Sequence, residues 1–205
     1  MSHETFQLYK VMNLNHIETK IGLQCASLLM GIKISNLLIV SPTDKEEVVR
    51  IFKNTIISYH LCFESQEKVV FLLYHKEQLV AYLNQPEVKR RMYRLGYTKY
   101  SLSNILMEMS KRYEACLLGT ADFPHELGFL LGYPVEDVIG FIEHQGKNYL
   151  YSGQWKVYHN VPERKKLFRD YDEAKEQVIR MIVNGVNVEE IIARGHWNQY
   201  KQICM

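Results

Sequence analysis

The sequence predicts a helix-rich α+β fold, one domain over residues 1–205 with a small, largely antiparallel sheet and hairpins. Three observations predict it. Apolar residues recur at helical spacing through most of the chain, the runs rich in β-branched and aromatic residues are short, and most of those runs pair across brief polar or glycine-containing connections. An apolar fraction of 47% over 205 residues suffices for one sizeable core. If the chain divided at all, 1–100 and 101–205 would be its sub-lobes.

Taken in order, residues 14–30 place Ile17, Ile21, Leu28 and Leu29 on a common side of a helix that ends near Gly31. Residues 36–41 are a short apolar run and read as a buried strand. Ser41 or Thr43 then caps a helix to about Asn54, with acids in its first turn to complement the dipole. Residues 56–63 and 68–74 form two antiparallel strands about the polar 64–67. A helix over 76–84 precedes one with Pro86 at its first position, Val88, Met92 and Leu95 on one face, and Gly96 at its end. Ser101 or Ser103 caps a longer helix to about Leu118, with Ile105, Leu106, Met109 and Tyr113 among its apolar positions. Pro162 opens another, with Leu167, Tyr171, Ala174, Val178 and Ile182 on one face and a stop at Asn184 and Gly185. Val188 starts a last short helix.

Composition excludes several function classes. Twenty-five Lys and Arg against 23 Asp and Glu leave a net charge of +2, so the chain as a whole is not committed to nucleic acid or an anionic membrane. Cys25, Cys62, Cys116 and Cys204 make no C-x-x-C pair, which argues against a zinc ribbon or a thioredoxin-type motif and suits a reducing cytoplasm. No window approaches the ~20 apolar residues that span a bilayer, and residues 1–10 lack a basic segment before an apolar one. A cytoplasmic protein is expected, with no membrane partner.

The densest stretch is FPHELGFLLGYPVEDVIGFIEHQGKNYLYSGQWKVY, residues 123–158. Asp122 is a good N-cap for a helix from Pro124 that would bury Phe123, Leu127, Leu130 and Leu131. At ~100° per residue, His125, Gly128 and Gly132 share the opposite side, with Phe129 beside them. Two glycines there cost helix stability, so they imply close approach by another backbone or by a ligand. In a first helical turn the dipole favours neutral imidazole, the form that binds metals or accepts a proton. Glu126 points about a quarter-turn away. After the corner at Gly132 and Pro134, a helix carries Val135, Val138, Ile139 and Ile142 inward. Its acids Glu136, Asp137 and Glu143, with no Lys or Arg before Lys147, argue against DNA reading. Two short strands follow about Ser152 and Gly153, with Trp155 and Val157 on one face and Lys156 and Tyr158 on the other. Such aromatics line a flat-ligand pocket or simply fill a core.

These residues resemble an uncharacterised bacterial domain-of-unknown-function family, DUF3793. The likeness lies in Phe123-Pro-His-Glu-Leu-Gly128, Leu131-Gly-Tyr-Pro134, Glu136-Asp-Val138, Gly140-Phe-Ile142 and Gly153-x-Trp-Lys-Val-Tyr158. Upstream it includes Cys25-Ala26, Gly31-Ile-Lys33, Asn36-Leu37 and Phe71-Leu-Leu-Tyr74. The resemblance covers nearly the whole chain and implies no known activity. This chain departs from the family pattern at Gln24 and Ser27, where that pattern has His and Pro.

Three readings of function follow. The first is a ligand- or cofactor-binding protein for a small molecule, with catalysis left open. His125 and Glu126 are its candidate catalytic residues, and Gly128, Gly132, Trp155, Tyr158 and Lys33 its candidate binding residues. The second is a cysteine-dependent enzyme using Cys25, with His60, His75 or His125 as base. The third is a non-enzymatic interaction module, in which Lys89, Arg90, Arg91, Arg94 and Lys99, interleaved with Tyr93, Tyr97 and Tyr100, bind RNA or an acidic protein. A solvated helix face is the commoner explanation of such a basic stretch. No H-E-x-x-H or H-x3-H spacing names a metal, and haem or flavin would require the aromatic hairpin and the glycine face to converge. No cofactor or oligomeric state is specified.

Overall fold

Val69–His75 are buried at every position, and this strand organises the fold. In the computed structural model, which describes residues 3–203, it is the central strand of a three-stranded sheet. β1 (Ser35–Val40) and β2 (Ile57–Glu64) flank this β3 in the order β1-β3-β2, both antiparallel. Leu38 and Leu61 stand opposite Phe71 in the register, and a bulge at Cys62 shifts the β2 ladder before Phe63. Because alternate side chains leave opposite faces of a strand, β3 serves two cores at once.

On one face Val69, Phe71 and Leu73 meet α2 (Ile17–Leu29), α3 (Lys45–Phe52), α9 (Val161–Val183) and the start of α10 (Val188–Ile203). On the other, Val70, Leu72 and Tyr74 meet α4 (Lys76–Leu83), α5 (Pro86–Arg94), α6 (Leu102–Leu117), α7 (Leu127–Leu130) and α8 (Val135–Glu143). The cores are divided by the sheet, not at residue 100. Residues 178–192 return to pack with residues 17–73. α1 (His3–Val11) lies against α9, and a two-stranded hairpin, β4 (Tyr151–Ser152) and β5 (Lys156–Val157), completes a helix-rich α+β fold.

Local chemistry explains most element ends. Ser41 caps a 3-10 turn over Pro42–Asp44, so α3 begins at Lys45, and Ser101 caps α6 by accepting from Asn104 N–H. Pro86 opens α5. The last helix is longer than the short one expected.

The stretch after Asp122 differs from expectation. Asp122 caps no helix, and α7 is a single turn that begins only at Leu127. Residues 124–129 are joined instead by i→i−3 bonds: Leu127 N–H to Pro124 O at 2.9 Å, Gly128 to His125 at 3.1 Å, Phe129 to Glu126 at 2.9 Å. At about three residues per turn rather than 3.6, the faces rotate. Phe129 is therefore fully buried in the core while Phe123 is exposed. His125 precedes the helix and so does not sit in its first turn, where the dipole would act on it.

Candidate functional site

Two contacts fix the α7–α8 corner. Ser35 Oγ donates to Leu130 O, and Tyr82 Oη donates to Tyr133 O, tying the corner to β1 and α4. Gly132 sits at φ +67, and a Cβ there would collide with Ile34. Gly128 lets α7 rest on α8: an added Cβ would lie 2.9 Å from Val138 Cγ2. Close approach by a neighbouring element, rather than by a ligand, accounts for both glycines.

The hairpin is held by a carboxylate. Asp137 on α8 is 2% exposed and accepts from Tyr158 N–H at 2.7 Å and His159 N–H at 3.1 Å through Oδ1, and from Trp155 Nε1–H at 2.8 Å through Oδ2. Arg164 Nε on α9 lies 3.4 Å from Oδ2. Strands of two residues cannot hold themselves, so Asp137 fastens the hairpin between α8 and α9. The Trp155 ring stacks on Tyr133 at 4.6 Å and meets Phe168 edge-on at 4.6 Å.

Between this hairpin and the α7–α8 corner lies a cleft of about 390 Å³. Its apolar wall includes Leu127, Leu131, Val138 and Phe141, and the rings of His125, Tyr133 and Trp155 complete it. His125 lies 5.0 Å from Phe141 and 5.6 Å from Phe123, and its ring nitrogens make no hydrogen bond to a described residue. Lys156 also lines the cleft, with its ammonium donating to Gly146 O at 2.7 Å and lying 4.9 Å from the Tyr149 ring.

The structure thus brings His125, Gly128 and Trp155 together and separates the other candidates. Glu126 turns away from His125 and is buried, accepting from Arg112 Nη1 at 2.8 Å and Tyr97 Oη at 3.2 Å. It is one half of a structural ion pair; burial first, and the Glu126 carboxylate second, hold the Tyr97 phenol protonated. Gly132 faces Ile34, and Tyr158 lies across Gly140 with its hydroxyl on Lys147 O at 3.0 Å, so neither lines the cleft. Lys33 does not line the cleft and lies 5.2 Å from the centre of the Tyr133 ring. Cys25 sits in the middle of α2, 1% exposed. Burial pushes its thiol up to about 12, against a smaller pull from Asn36 and Lys33. A thiol so placed lacks the activation a nucleophile requires.

Sequence alone marks none of Asp137, Tyr133, Phe141 and Lys156 as a site residue. A signal existed for Asp137, since a half-buried indole N–H needs an acceptor. Among the described residues no three His, Cys, Asp or Glu are grouped to hold a metal ion, and no helix is long and apolar enough to cross a membrane. In the basic segment, Arg90 and Arg91 pair with Glu87, Arg91 also lies 3.3 Å from Glu143, and Lys89 covers Tyr100 at 5.3 Å. Much of its charge is already answered within the chain.

A family described as a protein of unknown function, DUF3793, matches residues 21–192. The chain belongs to the DUF3793 family. The matched residues include those that line the cleft and form the hairpin. No curated protein and no solved structure matches the chain.

Proposed function

We propose that this protein binds a small, flat, mainly apolar molecule in the cleft between the α7–α8 corner and the β4–β5 hairpin. One observation carries the reading. His125, Tyr133, Phe141 and Trp155 converge on a single cleft of about 390 Å³ whose polar groups are few, the composition and size of a small-molecule site. The rings of Trp155, Tyr133 and Phe141 in the cleft wall suit a conjugated ring, and His125, whose ring nitrogens make no hydrogen bond to a described residue, supplies a hydrogen bond to a polar edge. Asp137 contributes by position only, because its oxygens are committed to the hairpin. His125 is the imidazole in the cleft wall that could hold or move a proton. The free thiols Cys25, Cys62 and Cys116 support a reducing, cytoplasmic setting.

The test uses Trp197→Phe protein, which leaves Trp155 as its sole tryptophan. Titration with 2-naphthol, an uncharged planar probe, or with riboflavin is expected to change Trp155 emission saturably. Phe141→Ala and His125→Ala should each weaken binding of the responding probe. Absence of a saturable response to both probes contradicts the proposal.

A further inference from the structure

Behind the stacked Tyr133–Trp155 pair is a smaller cavity of about 140 Å³, walled by α2, the residues entering β1 and α9. Its chemistry is the reverse of the cleft's. Lys33 Nζ donates to Asn36 Oδ1 at 2.8 Å, and Asn36 is oriented by donating its own amide to Gln24 O at 2.8 Å and Leu37 O at 2.7 Å. Among the described residues Lys33 forms no ion pair, and Asp172, exposed on the same wall, does not reach it. A largely desolvated ammonium with no counter-charge is costly, and among the described residues only one of its three donors has a hydrogen-bond partner. Burial accordingly lowers its proton affinity to about 8, with Cys25 behind it pulling the other way. Ser27 Oγ and Tyr171 Oη, on two other walls, make no hydrogen bond to a described residue, and Lys175 stands at the rim. Among the described residues, hydroxyl donors without partners thus surround an ammonium that faces the Tyr133 ring and no carboxylate.

We propose that this pocket binds a small oxyanion, a carboxylate or phosphate group, received by the Lys33 ammonium with Ser27 and Tyr171 as hydroxyl donors. The pocket is distinct from the apolar cleft, and the proposal does not rest on what the cleft binds. The two sites share Trp155 and Tyr133 as a common wall, so occupancy of one is visible in the indole.

Two readouts test it in the full chain, with sodium acetate and inorganic phosphate as probes and chloride holding ionic strength constant. In Trp197→Phe protein at pH 7, one of the two probes is expected to change Trp155 emission saturably. Lys33→Met should weaken that response at least tenfold. In the wild-type protein the same probe should slow acetylation of Lys33 by an N-hydroxysuccinimide ester at least fivefold, read by mass spectrometry, whatever the stability of the variant. Protection by acetate alone assigns a carboxylate and by phosphate alone a phosphate group. Equal acetylation rates with both probes and with chloride overturn the proposal, as does a response undiminished in Lys33→Met.

Discussion

Replacing Asp137 with Asn is expected to release the β4–β5 hairpin at a cost far above that of an ordinary acid-to-amide change. The amide oxygen can still accept from Tyr158 and His159 N–H, but the new NH2 group replaces the oxygen that receives Trp155 Nε1–H at 2.8 Å and faces Arg164 Nε at 3.4 Å. Donors then meet donors. Losing one charge-assisted hydrogen bond costs about 1.5–3 kcal/mol. Removing the charge also leaves the Arg164 side chain, 14% exposed, without its buried partner, and breaking such pairs typically costs about 3–5 kcal/mol. The two overlap, so a combined loss of about 3–5 kcal/mol is expected, a large share of the ~5–15 kcal/mol that holds a domain together. Urea unfolding followed by far-ultraviolet circular dichroism measures the global part, and Trp155 emission in Trp197→Phe protein measures release of the hairpin. A variant within about 1 kcal/mol of the parent in both refutes the view that Asp137 anchors this element.

Other consequences can be checked directly. Lys33 falls from an ordinary 10.5 to about 8 in the folded chain, so between those values the unfolded state holds more protons and stability contributed by Lys33 rises with pH. From pH 8 to 9 the rise should be about 1 kcal/mol, and Lys33→Met should remove it; an unchanged slope in the variant contradicts the desolvation of Lys33. Cys25 has the opposite sign: its thiol is held protonated toward about 12 from 9.0, so its contribution declines as pH climbs through that interval. At pH 7.5 iodoacetamide should alkylate Cys25 at least tenfold more slowly than the half-buried Cys116, and comparable rates would restore the nucleophile reading. Gly132→Ala meets both a left-handed backbone and Ile34, and should destabilise by about 2–4 kcal/mol; a loss below about 0.5 kcal/mol would show that the corner yields.

Much of the scaffold is legible in local patterns. The β2–β3 hairpin, the glycine stops after α2, α5 and α9, Pro86 at the start of α5 and the Ser101 cap all follow from residues within a few positions of one another. What escapes sequence is set by distant partners. β1 joins β3 across more than thirty intervening positions at Leu38 and Phe71, and no local signal names that pairing. The helix expected from Pro124 shrinks to one turn, with Glu126 drawn to Arg112 and Tyr97 and the backbone following in i→i−3 bonds. At the site, His125 and Trp155 are recognisable as unusual residues, and both line the same cleft. Asp137 reads only as a charge until the hairpin folds back onto it, and Lys33 acquires its exceptional surroundings from α2 and α9.

The most direct test of the central claim is a crystal structure of the protein soaked with 2-naphthol. The account predicts its ring system in the cleft between His125, Phe141 and Trp155, with its hydroxyl on a His125 ring nitrogen. A probe bound elsewhere, or a cleft closed by the protein's own side chains, would contradict it.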